Sequence, residues 1–198
     1  MSRVAVFVDL PNFYRRLLDS GIARKEPKFL RDYFLYWLDL DLLVNHLLLE
    51  TPPVESLNDI WVFYSRGGIR ASTEKVDQQY LGDYINRINA LEGITARDVN
   101  IPGVQRETVT FECTQCKTKN IAEWKSEKGI DASLTVHLFD TMDSWDVAYL
   151  LSGDADFVPV VTFLRRRGKI VIGAGFHKRS EALVRECHKY IYISVIST

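Results

Sequence analysis

Short runs that are apolar at nearly every position, rather than at every second one, constrain this chain most. RVAVFVD (3–9), DIWVFYS (59–65), DVAYLLSG (146–153) and KIVIGAGF (169–176) are of this kind, and TARDVNI (95–101) is a weaker example. A strand wetted on one face would alternate, so these runs call for a sheet covered on both faces, which is how parallel sheets are built. The intervening segments carry helix signals. Pro11 stands in the first turn of NFYRRLLDSG, which closes at Gly21, and DFVPVVTFLRRRG closes at Gly168. TEKVDQQYLGDYINRINAL, KGIDASLTVHLFDTM and SEALVRECHKYI complete the expected helices. The predicted fold class is therefore α/β, Rossmann-like, with a mainly parallel sheet and helices on both faces.

Two stretches do not fit the strand and helix alternation. Residues 22–57 contain YFLYWLDLDLLVNHLLL (33–49), read as a long buried helix. Its Asp39, Asp41, Asn45 and His46 are costly at bilayer depth, so no membrane span is expected. Residues 101–126 contain RETVTFECTQCKTKNIAEWK, which alternates and pivots at Cys113 to Cys116 as a β-hairpin does. We read the chain as one domain over 1–198 with a helical insertion and a hairpin insertion. The apolar helix and the hairpin are the candidate surfaces for a homodimer.

With 46% hydrophobic residues among 198, the chain can bury a full core. Its net charge of -1 supplies no global field for nucleic acid, so an anionic polymer must be held by a local basic patch. Three cysteines and an N-terminus without a long apolar run before a small-residue cleavage site point to a reducing, cytoplasmic setting.

In an open α/β sheet the ligand crevice lies beyond the carboxyl ends of the strands. Asp9 ends the first run, Asp154 and Asp156 follow DVAYLLSG, Asp131 lies in the first turn of the helix before that run, and Asn12 follows Asp9. Each strand-end aspartate taken alone is a helix N-cap. Several on one edge make a site for a hard cation, since Mg²⁺ and Mn²⁺ take oxygen ligands and can activate water beside a phosphoryl group.

Three blocks, VFVDLPNF (6–13), EKGIDASLTVHLFD (127–140) and LLSGDADFVPVVTFLRRRGKIVIGAGF (150–176), resemble the signature blocks of the NYN domain, a PIN-like nuclease group that includes the LabA-like proteins. The resemblance implies Mg²⁺- or Mn²⁺-dependent hydrolysis of RNA phosphodiesters. Asp9, Asp131, Asp154 and Asp156 would be the metal-binding catalytic aspartates and Asn12 the polar residue of the first block. Ser152 would line the site, and Lys128 would contact phosphate. The chain departs from the pattern at Leu10, where the family usually has Gly, and at His137, where it often has a further Asp.

The substrate expected is single-stranded RNA, gripped by Arg15, Arg16, Arg66, Arg70, Lys128 and the run Arg165 to Arg167. Tyr14 and Tyr64 are candidates to stack unpaired bases. The arginine run equally complements the negative end of its own helix. His137 reads as a packed histidine, a substitute ligand or a base, while Asp140 and Asp143 read as a solvated helix end. Cys113 and Cys116 have the spacing of half a structural Zn²⁺ site, which Cys187 and His188 or a second chain would have to complete; the alternative is a thiol-bearing turn. Three functions follow: a metal-dependent ribonuclease, a catalytically degenerate RNA- or protein-binding module on the same fold, and a haloacid dehalogenase-type phosphatase. The last lacks the second Asp it needs, because Pro11 occupies that position.

Overall fold

The computed structural model describes residues 2–19, 47–48, 54–65, 75–99, 106–112, 115–125, 129–176 and 180–193. Its centre is a six-stranded sheet in which every neighbouring pair is parallel. In chain order the strands are β1 (Ser2–Asp9), β2 (Val54–Tyr64), β3 (Ile94–Asp98), β6 (Val147–Leu151), β7 (Ile170–Gly175) and β8 (Lys189–Tyr192). The remaining two, β4 (Arg106–Glu112) and β5 (Lys119–Lys125), form a separate antiparallel pair in which Glu112 faces Lys119. The spatial order is β3-β2-β1-β6-β7-β8. The helices are α1 (Leu10–Asp19), α2 (Lys75–Asn89), α3 (Ile130–Asp140), α4 (Val158–Arg166) and α5 (Glu181–Glu186).

The all-apolar runs are explained by two cores, one on each face. Val4, Val6 and Val8 of β1 pack with Leu10 and Phe13 of α1 and with Tyr84, Ile85 and Ile88 of α2. Ala5 and Phe7, pointing the other way, pack with Leu134 and Leu138 of α3, Val161 and Leu164 of α4 and Leu183 of α5. Burying both sets is the hydrophobic contribution that holds the layers together, worth about 25 cal/mol for each Å² of apolar surface removed from water.

Two expectations are corrected. β2 begins at Val54, so residues 54–57 belong to the sheet rather than to an insertion. The remainder of the expected insertion lies outside the described residues apart from Leu47 and Leu48. The stretch read as a final helix, SEALVRECHKYI, is helical only over Glu181–Glu186 and then forms edge strand β8. Cys187 takes extended backbone angles (φ -66, ψ 151) and ends the helix. The strand then pairs Tyr190 and Tyr192 with Gly173 and Gly175 of β7. Among the described residues no helix is long and apolar enough to cross a membrane.

Candidate active site

Strand order reverses between β1 and β6: the chain runs outward from β1 through β2 to β3, and from β6 through β7 to β8. Crevices at the carboxyl ends of strands open at such a reversal. Val8 pairs with Leu151, so the next residues, Asp9 and Ser152, end the two central strands side by side.

Asp9 is only 3% exposed. Its Oδ1 accepts from the backbone nitrogen of Asn12 at 3.3 Å, capping α1, and its Oδ2 accepts from Ser152 Oγ at 3.0 Å. Asp154 is arranged in parallel. Its Oδ1 accepts from the Asp156 nitrogen at 3.1 Å, capping the 3-10 turn Ala155–Phe157. Its Oδ2 accepts from Asn12 Nδ2 at 3.2 Å, while Asn12 Oδ1 accepts from the Gly153 nitrogen at 3.1 Å. Both aspartates therefore cap helical turns, as the capping reading expects, and each also accepts a second bond from across the sheet edge. Each carboxylate is locked by one local bond and by one bond reaching across the sheet edge.

Asp131 occupies the first turn of α3, which starts at Gly129 in a left-handed conformation (φ 100) that suits glycine. Among the described residues Asp131 has no hydrogen-bond or ion-pair partner, and no side chain caps α3. Asp156 is exposed at the rim.

Charge couples these groups. Burial and then the neighbouring charge of Asp131 push Asp9 up to about 7, against the lowering effect of its bonds from Asn12 and Ser152, with Asp154 adding to the rise. Burial first, then Asp154 and Asp156, raises Asp131 as well. Mutually repelling carboxylates with an amide and a hydroxyl between them form an oxygen-only donor set, which fits a hard divalent cation. Among the described residues no three His, Cys, Asp or Glu side chains are gathered into a ready-made metal cage. A cation that keeps several of its waters does not require one.

The other candidates are distributed as follows. Arg165 lies at the C-terminal end of α4, at the opposite edge of the sheet from Asp154, and donates to the Glu186 carbonyl at 2.7 Å and to its carboxylate at 3.1 Å. Lys128, Arg66, Arg70 and Cys113 lie outside the described residues, as do the side chains of Tyr14 and Arg15. Tyr64, 4% exposed, is core and presents no face to a base. His137 is packed away from the crevice, 5% exposed, with its ring centroid 4.2 Å from Trp61 and 5.6 Å from Phe63. Leu10, the first residue of α1, is buried in the core it shares with α2. Cys116 is exposed on the hairpin turn. Cys187 is buried, and burial pushes its thiol up to about 11, which disfavours the thiolate a metal needs.

A family model for the NYN domain matches residues 62–194, about two thirds of the chain. The chain belongs to the NYN domain family. The matched NYN region contains Asp131, Ser152, Asp154 and Asp156; Asp9 and Asn12 precede it and join the same edge through β1 and α1. The fold is also similar to the crystal structure of a protein of unknown function from Vibrio parahaemolyticus. The TM-score is 0.55 at 19% identity, over 98% of this chain and 94% of that one. No curated protein matches the sequence.

Sequence reasoning passed over Tyr190. Its hydroxyl donates to the Ser152 carbonyl at 3.1 Å, across the side-chain-free positions Gly173 and Gly175 of β7. A methyl at Gly175 would stand 2.6 Å from that hydroxyl. Two glycines at i and i+2 inside an otherwise branched strand were the visible signal.

Proposed function

We propose that this NYN protein is a cytoplasmic metal-dependent ribonuclease that hydrolyses phosphodiester bonds of single-stranded RNA at the Asp9, Asp131, Asp154 and Asp156 edge. One observation carries the reading. Asp9 is buried at the sheet reversal, and that burial, followed by the charge of Asp131 and to a smaller extent of Asp154, pushes its carboxyl up to about 7. A fold retains such a cost where a cation or substrate offsets it. Family membership supports nuclease chemistry, and the phosphatase reading lacks its second Asp because Pro11 holds that position.

In this reading Asp9, Asp131 and Asp154 would hold Mg²⁺ or Mn²⁺, with Asp156 at the rim. The ion supplies water activation and neutralises charge on the phosphoryl oxygens. Asn12 keeps Asp154 oriented through its amide, and Ser152 keeps Asp9 oriented through its hydroxyl. Asp131, uncommitted among the described residues, is left for ligands. Asp9 and Ser152 are buried, so substrate approaches from the Asp131 and Asp156 side.

A second reading, a binding module without chemistry, is favoured by His137, which sits in the core where the family often has a further carboxylate. Cleavage of labelled single-stranded RNAs in Mn²⁺ or Mg²⁺, abolished by chelator and by Asp154→Asn, supports the ribonuclease. RNA binding without cleavage in either metal supports the module.

A further inference from the structure

We infer that Tyr192, backed by Tyr190, is a base-stacking platform for the RNA strand leaving the aspartate edge. The inference rests on the ribonuclease reading and adds to it where an unpaired base is held. Strand register places the platform. One step beyond the Val8–Leu151–Ala174 row come Asp9, Ser152 and Gly175, and Gly175 pairs with Tyr192. Asp9 and Tyr192 thus lie on one cross-strand row, three strand spacings or about 14 Å apart.

They also share a face. Tyr190 packs on the core that holds Ala5 and Phe7, the face to which Asp9 also points by alternation, and Tyr192 follows Tyr190 by two residues. The Tyr190 ring bridges the glycines of β7 to bond Ser152, whose hydroxyl in turn holds Asp9. The Tyr192 ring leans on it, with centroids 5.5 Å apart at 51°, and is 40% exposed. The outcome is an exposed aromatic ring, fixed from behind, on the same row as Asp9. A neutral ring beside a negatively charged cluster suits a base, which stacks on aromatic surfaces regardless of sequence. Strand β8 is the sheet edge, so no further strand of the six covers that side.

The test uses the full chain and a labelled single-stranded RNA oligonucleotide, with binding measured in EDTA and cleavage in Mn²⁺. Tyr192→Ala should weaken binding about tenfold, within the range for loss of one base stack, and raise KM with little change in kcat. Tyr192→Trp should bind as wild type does. An abasic nucleotide moved along the oligonucleotide should, at one position, weaken wild type by the same factor and leave Tyr192→Ala unaffected. Equal RNA binding by wild type and Tyr192→Ala overturns the platform alone, as does an abasic scan with no such position. Failure of wild type both to bind and to cleave RNA overturns the ribonuclease reading and the platform with it.

Discussion

Asn12 Nδ2 donates to Asp154 Oδ2 at 3.2 Å while Asn12 Oδ1 accepts from the Gly153 nitrogen at 3.1 Å, so one amide clamps the end of β6 to the start of α1. Asn12→Ala leaves the buried Gly153 N–H without its acceptor, a loss of about 1–3 kcal/mol. Thermal unfolding should register that drop, and RNA cleavage should fall with the freed Asp154. An unchanged melting temperature would show that water replaces the amide.

Asp9 has a folded pKa of about 7 against an ordinary 3.8. Between those values the folded chain keeps a proton that the unfolded chain releases, so Asp9 lowers stability progressively as pH rises from about 4 to about 7. The full displacement is worth at most about 4 kcal/mol. Asp9→Asn should therefore match wild type near pH 4 and exceed it at pH 8, measured by denaturant unfolding at each pH without divalent ions. Millimolar Mg²⁺ or Mn²⁺ at pH 8 should raise the melting temperature of wild type and not of the variant.

His137 follows the opposite sign. Burial and the nearby Arg97 lower its pKa, while Asp140 and Asp59 act weakly in the other direction. Its Nε2 is buried without a hydrogen-bond partner among the described residues. The unfolded chain then takes up a proton that the folded chain refuses, so stability falls as pH drops below about 6.5. His137→Phe, an apolar ring among Phe7, Trp61 and Phe63, should flatten that fall. Cleavage should persist at the wild-type level. Lost cleavage in a fully folded variant would make His137 catalytic.

Gly173 and Tyr190 depend on each other. A Cβ at Gly173 would run into the Tyr190 ring, reaching 2.7 Å from Cε2, and would stand 3.0 Å from Cys187 Sγ. Gly173→Ala should cost about 1–3 kcal/mol by overpacking. Adding Tyr190→Ala should recover part of that cost, giving a non-additive double-mutant cycle in urea unfolding. Strict additivity would show that the ring moves aside.

Much of this molecule was legible in one dimension. The all-apolar runs announced a two-sided parallel sheet because burial on both faces leaves no position for a polar residue. Asp9 and Asp154 were legible as strand ends because the apolar runs stop there. β8 was misread because a helix of six residues is followed, after only Cys187 and His188, by a strand of four, too short for either period to dominate.

The information carried along the chain is therefore local: which runs are strands, where they end and which residue types stand there. Only the tertiary structure decided that β1 lies against β6. That pairing sets Asp9 beside Ser152 and lets Asn12 reach Asp154 over 142 positions of chain. The same packing sent His137 and Tyr64 inward and brought Tyr190 to Ser152. Strand order is a global property, set by which faces must be covered at once, and no local pattern encodes it.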